Sequence, residues 1–73
     1  MGSLMLFKDS WSIAGIDNNE ITISGLTNLH ENDWVYSGDN IYKIISIKQD
    51  TDTILTLNKS YSTNDGLIIT KFG

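Results

Sequence analysis

The chain has 73 residues, which is enough for one domain with a small core, and its composition excludes several classes of function. It has no cysteine and a single histidine, so disulfides, thiolate metal sites and sites built from paired histidines are excluded. The net charge is −4, and the basic residues are few. Nucleic acid is therefore not expected as a partner, because phosphate binding needs clustered basic side chains. No apolar run approaches the ~20 residues of a membrane span, so a membrane is not expected either.

Short segments typical of β-strands follow one another along the chain. They are rich in Ile, Thr, Val, Tyr and Trp, and several alternate apolar with polar residues, as Ile21, Thr22 and Ile23 do. This alternation indicates strands with one buried and one solvent-facing side. We predict strands at residues 4–8, 10–16, 20–24, 33–36, 41–48, 53–58 and 67–72.

Turn-forming residues separate these segments. Residues 17–19, 38–40, 49–52 and 64–66 are built from Asp, Asn, Gly and neighbouring polar residues, which accept left-handed backbone or bond to their own main chain. Each is predicted to be a hairpin tip, and the pair Asp65-Gly66 is a strong short-range hairpin signal. The last strand, at residues 67–72, is a candidate sheet edge protected only by Lys71.

These patterns predict an all-β fold, a small barrel or sandwich of about six or seven short antiparallel strands. Residues 1–73 form one domain in this interpretation, with residues 1–9 as an N-terminal strand or an exchanged arm. Ile44 and Ile45 are adjacent, so their strand is either buried on both faces or bulged. The predicted core residues are Ile21, Ile23, Val35, Tyr42, Ile44, Ile47, Leu55 and Leu57.

The sequence offers no catalytic constellation. His30 lies in a polar loop, with no credible nucleophile to pair with it. The acidic runs near Asp17 and Asp50 lack the spacing of a calcium loop, and the same residue types are needed to make turns. We therefore predict a protein that is not an enzyme, with no catalytic residue, no metal and no cofactor.

Aromatic and aliphatic residues are the best candidates for contact with a partner. Trp34 and Tyr36 flank Val35, so both point outward if Val35 points inward. Exposed aromatic pairs are frequent in protein interfaces. The N-terminal residues 4–7 are also too apolar to favour water. The predicted interface residues are Trp34, Tyr36, Leu4, Leu6, Phe7 and Trp11.

Residues 17–72 resemble a small β module that recurs in structural proteins of tailed bacteriophages, in tail fibres, baseplates and head surfaces. The matching pieces are EITISG from Glu20, DWVY from Asp33, IYKIISI from Ile41, and DTILTL from Asp52, followed by Tyr61 and the final strand after Gly66. The chain departs from the module at Asn32, where glycine is usual, and in the order Gly38-Asp39. A weaker likeness is to SH3-like barrels of phage head-closure proteins.

The resemblance implies a virion structural protein, a tail, baseplate or capsid-decoration subunit that acts through protein–protein contacts. Its implied location is the virion, after synthesis in the cytoplasm of the host bacterium. Its expected partners are other virion proteins and further copies of itself in a homo-oligomer. Two alternatives remain open from the residues: a carbohydrate-binding module that uses exposed aromatics, and an SH3-like adaptor for nucleic acid or protein.

Overall fold

The computed structural model describes residues 9–72 of the chain. The predicted strand at residues 4–8, and with it Leu4, Leu6 and Phe7, lies outside the described residues. Six strands and one short 3-10 helix make up the described part. They are β1 (Ser10–Asp17), β2 (Glu20–Ile23), β3 (Trp34–Ser37), β4 (Asn40–Gln49), β5 (Thr53–Leu57), the 3-10 helix (Thr63–Asp65) and β6 (Ile68–Lys71).

The six strands form a closed antiparallel barrel in the order β1-β2-β5-β4-β3-β6, which confirms the predicted all-β class. Strand β6 closes the barrel, because it pairs with β1 from Ser10↔Thr70 to Ser12↔Ile68 and with β3 at Tyr36↔Thr70. The prediction that this last strand is a sheet edge is therefore wrong. Its backbone groups are engaged on both sides, so charged side chains are not needed to block further pairing.

Three of the four predicted hairpin tips are hairpin connections in the structure, between β1 and β2, β3 and β4, and β4 and β5. Asn18 and Gly38 adopt positive φ angles of 61° and 57° at the first two, as their residue types permit. The fourth prediction, at residues 64–66, is wrong. The segment there contains the 3-10 helix and connects β5 to β6, two strands that are not neighbours in the barrel.

The barrel interior holds the core, and most of the predicted core residues lie in it. Ile47 differs from the others, since it lies beyond the bulge in β4 and is only partly buried, although it packs against the core and is paired with the buried Leu55. The buried apolar residues are Ile13, Ile21, Ile23, Leu29, Val35, Tyr42, Ile44, Leu55, Leu57, Tyr61 and Ile69.

A β-bulge in β4 explains how two adjacent isoleucines, Ile44 and Ile45, are accommodated in one strand. The pairing of β4 with β5 shifts register between Ile44 and Ser46, so one residue of β4 is left without an opposite partner. Ile44 is fully buried, whereas the Ile45 side chain is 49% exposed. The strand is therefore bulged, and it is not covered on both faces at this point.

A polar network holds the segment between β5 and β6 against the barrel. The Ser37 hydroxyl donates to the Ile68 carbonyl at 2.7 Å and lies 2.8 Å from the Tyr61 hydroxyl. The Asp65 carboxylate accepts hydrogen bonds from Asn40 Nδ2 at 2.8 Å and from the Tyr42 hydroxyl at 3.2 Å. Within residues 9–72, no buried side-chain nitrogen or oxygen lacks a hydrogen-bond partner. The connection between β5 and β6, which we call the crossover segment, is thus held by side-chain hydrogen bonds and not by pairing with a neighbouring strand.

Candidate contact surface

The outer face of β3 and its neighbours carries a cluster of large apolar side chains. Val35 points into the core, and period-two alternation sends Trp34 and Tyr36 outward. The short hairpin to β4 places Ile41 directly opposite Tyr36. On the other side of β3, the backbone N–H of Phe72 donates to the Trp34 carbonyl at 3.1 Å, which brings Phe72 to the same face.

Trp34, Ile41 and Phe72 line a shallow depression of about 390 Å³, which we call the apolar groove. A second depression of about 240 Å³ shares Ile41 and Phe72 with it, and its other lining residues are Tyr36, Gly38 and Asp39. The rings of Tyr36 and Phe72 pack with centroids 4.8 Å apart at 52°, so they form a joint aromatic wall.

The groove residues are large and remain well exposed. The exposed fractions are 48% for Trp34, 50% for Ile41 and 42% for Phe72. The other large apolar side chains that are exposed within residues 9–72 do not line the groove; they are Leu26, Ile45, Leu67 and Ile68. The groove is therefore distinguished by the convergence of three such side chains, two of them aromatic, on one depression.

Charged groups of both signs flank the groove. The Lys43 ammonium lies 5.8 Å from the centre of the Trp34 ring, within the range of a cation–π contact. Asp39 lines the adjoining depression at the opposite end, next to Ile41. Lys71 is paired with Asp33 at 3.7 Å near the start of β3. The groove thus has a positive end and a negative end.

This arrangement favours packing against another apolar surface. The three side chains that line the groove carry one polar atom between them, the Trp34 indole nitrogen, whereas sugar sites need several placed polar groups. Lys43 already lies over the Trp34 ring, which competes with a sugar for that ring. One lysine also falls short of the basic track that nucleic acid requires.

Neither a protein-family profile, nor a curated protein sequence, nor a solved structure matches this chain.

The predicted interface residues do not all lie on one surface of the protein. Trp34 lies in the groove and Tyr36 beside it, as two neighbouring outward positions. Trp11 lies elsewhere, because it pairs with Ile69 on β6 and packs, half-buried, against the core. Leu4, Leu6 and Phe7 fall outside the described residues.

Sequence reasoning missed Ile41 and Phe72 as groove residues. Ile41 was recoverable, since a two-residue turn at Gly38-Asp39 pairs Ser37 with Asn40 and therefore Tyr36 with Ile41. Phe72 could not be predicted as a groove residue, because its position depends on the pairing of β6 with β3. These two strands are more than thirty residues apart in the chain.

The acidic turn at residues 49–52 and His30 were the other candidate sites, and both lie within the described part of the chain. In the acidic turn between β4 and β5, Asp52 Oδ1 accepts a hydrogen bond from the Gly25 N–H at 3.1 Å and braces a neighbouring loop. His30 is an exposed residue whose ring nitrogen lies 3.8 Å from Asp33. Residues 9–72 contain no cluster of three or more His, Cys, Asp or Glu side chains suited to a metal ion. In the same part of the chain, no helix has the length and apolar character to cross a membrane.

Proposed function

We propose that this protein is a non-enzymatic structural subunit of a bacteriophage particle, and that it assembles by packing its apolar groove against a second copy of itself. The observation that carries the proposal is the convergence of Trp34, Ile41 and Phe72 on one exposed face. Contiguous apolar surface on a small domain favours association, and aromatic residues dominate the energy of such contacts.

The charges around the groove support a second copy as the occupant. A twofold contact places the same face of each copy against the other. Lys43 lies at the Trp34 end of the groove and Asp39 at the Ile41 end. A twofold axis that lies in the plane of the contact and runs across β3 and β4 would set Lys43 of one copy towards Asp39 of the other, and this complementarity favours that orientation.

The virion context of the proposal comes from the resemblance of residues 17–72 to phage structural modules. A small acidic barrel whose buried polar side chains are all hydrogen-bonded within residues 9–72 fits a subunit that must be soluble before it assembles. Further contacts with capsid or tail proteins follow from the same role. In this proposal the protein acts through protein–protein contacts and catalyses no reaction.

The test is the mass in solution, measured by light scattering over a concentration series. We expect the wild-type chain to reach a defined oligomer, and Ile41→Asp to remain a monomer because it places a charge in the groove. The matched control is Ile45→Asp, which changes the same residue type in the same strand at nearly the same exposure, 49% against 50%. It should associate like the wild type. A wild-type monomer at every concentration, or equal effects of the two variants, would contradict the proposal.

A further inference from the structure

The apolar groove is too small to form a stable contact by itself. Its three side chains are each about half exposed. Aromatic side chains bury up to ~250 Å² each, so three half-exposed side chains offer at most roughly 375 Å². A stable contact between two proteins buries about 800 Å² on each partner. If two copies pack groove to groove, further residues on the same face must therefore take part.

The pairing of β3 with β4 and β6 arranges this face in rows that run across the strands. The middle row contains Tyr36, which is paired with Ile41 on β4 and with Thr70 on β6. Antiparallel strands advance ~3.4 Å per residue and alternate residues share a face, so the next outward rows lie about 7 Å to either side. The positions of these two outer rows decide which residues can meet across a twofold contact.

Each outer row has one member from every strand of this face. The row at the start of β3 consists of Trp34, Lys43 and Phe72. The row at the turn between β3 and β4 consists of Gly38, Asp39 and Ile68. Ile68 belongs to the second row because it lies two residues before Thr70, and its carbonyl accepts the Ser37 hydroxyl at 2.7 Å. Its side chain is 52% exposed and the next residue, Ile69, is buried, so Ile68 points outward.

The twofold axis that brings Lys43 to Asp39 of the other copy has to follow the middle row, because that row lies midway between them. Rotation about this axis keeps each strand over the same strand of the other copy and exchanges the two outer rows. Phe72 of each copy then faces Ile68 of the other. Trp34 faces Gly38 of the other copy, an exposed residue with no side chain that lines the second depression.

We propose that Ile68 and the second depression are part of the contact between copies, with Phe72 packed on Ile68 and Trp34 seated in the second depression of the partner copy. This inference rests on the proposed function and deepens it, since it adds contact positions outside the groove and fixes the relative direction of the two copies. Ile45 stays outside the contact. It lies one outward position beyond Lys43, and the matching place on the other copy is past the Gly38-Asp39 turn, where the hairpin has ended.

Ile68→Asp tests the added contact position. We expect its dissociation constant, from light scattering over a concentration series, to rise about tenfold or more, because each contact then buries two unpaired charges. The matched control is Leu67→Asp, since Leu67 is the preceding residue, is 56% exposed and falls on the other side of the strand alternation. It should associate like the wild type. Circular dichroism checks that both variants are folded.

A mixing experiment tests the direction of the two copies. Lys43→Glu alone sets two acidic residues against each other across the contact, and Asp39→Lys alone sets two lysines against each other, so each variant should associate more weakly than the wild type. An equimolar mixture pairs opposite charges at both ends of the contact. It should therefore associate at lower concentration than either variant by itself. An axis along the strands keeps Lys43 in the same row as Lys43 of the other copy, and the mixture would then gain nothing.

The two proposals fail in different ways. A wild-type monomer at every concentration would overturn the proposed assembly and this arrangement with it. A wild-type oligomer that Ile41→Asp weakens, but that Ile68→Asp and Leu67→Asp affect equally, keeps the assembly and loses the contact at Ile68. An oligomer whose charge variants gain nothing on mixing keeps the assembly and loses the proposed direction. Weakening by Ile68→Asp alone, together with a gain on mixing, supports the inference.

Discussion

Gly38 combines two constraints at one residue. It has a φ of +57° in the turn between β3 and β4, where side chains beyond glycine are strained. A Cβ at this position would also lie 2.7 Å from Asp65 Oδ1. That carboxylate is held by Asn40 and Tyr42, so it has little freedom to move away. The turn and the crossover segment therefore fit together only without a side chain at residue 38.

We expect Gly38→Ala to lower the free energy of unfolding by about 2–3 kcal/mol, the sum of a left-handed backbone penalty and a close contact. Gly25→Ala is the matched control, because Gly25 has a φ of +85° and a Cβ added there would meet no atom within 4 Å. It should cost only about 1–2 kcal/mol. Urea unfolding measures both. Equal losses would show that the contact with Asp65 contributes nothing.

Tyr42 is a buried phenol whose hydroxyl lies in the polar network. Burial raises the pKa of Tyr42 above the ordinary value of 10.0, and the neighbouring Asp65 carboxylate raises it further, while the hydrogen bond from the Ser62 N–H acts in the opposite direction. The unfolded chain therefore loses this proton at a lower pH than the folded chain does. Stability linked to Tyr42 is complete below pH 10.0 and is lost as the pH rises through the folded pKa.

Tyr42→Phe should flatten this pH dependence. At neutral pH we expect a loss of about 1–2 kcal/mol, because the hydroxyl no longer accepts from Ser62 or donates to Asp65. Above about pH 10, the free energy of unfolding should fall less steeply for the variant than for the wild type. Urea titrations between about pH 8 and 11 compare the two slopes. Parallel slopes would rule out Tyr42 as a source of the alkaline loss.

At the scale of elements, the bulge in β4 decides which of two adjacent isoleucines supports the core. Ile44 is fully buried and Ile45 is half exposed, although both sit in the same strand. Ile44→Ala should cost about 2–5 kcal/mol because it leaves a cavity in the barrel, whereas Ile45→Ala should stay within about 0.5 kcal/mol of the wild type. Thermal or urea unfolding of the pair checks the register. Similar losses for both would mean that the bulge lies elsewhere.

Local elements were predictable from the sequence, and the connections between distant strands were not. The turn at Gly38-Asp39 and the strand that carries Tyr42 are both indicated by residues close together in the chain. The hairpin of β3 and β4 could therefore be predicted from the sequence. Asp65-Gly66 carries an equally strong local hairpin signal. It is overridden because the Asp65 carboxylate is bonded by Asn40 and Tyr42, which lie more than twenty residues earlier in the chain. For the same reason Trp34 and Tyr36 could be proposed as outward residues, while Phe72 could not.

At the scale of the whole molecule, the barrel depends on closure by β6. This strand joins β1 to β3, which are otherwise not neighbours, so the barrel cannot lose it without opening. We expect a single cooperative unfolding transition. Trp11 reports on β1 and Trp34 on β3, and each can be isolated by replacing the other with Phe. In each variant, the urea midpoint from fluorescence should coincide with that from far-UV circular dichroism. Separate midpoints would indicate that one side of the barrel opens first.

The position of β6 in the chain also has a consequence during synthesis. Until residue 71 has left the ribosome, β1 and β3 both lack a neighbour, and their backbone groups form two bare edges that other chains can pair with. Earlier strands can form hairpins as they emerge, but the protective ring is completed only by the final strand. A chain truncated before Ile68 would thus be exposed to misassembly in a way that the finished molecule is not.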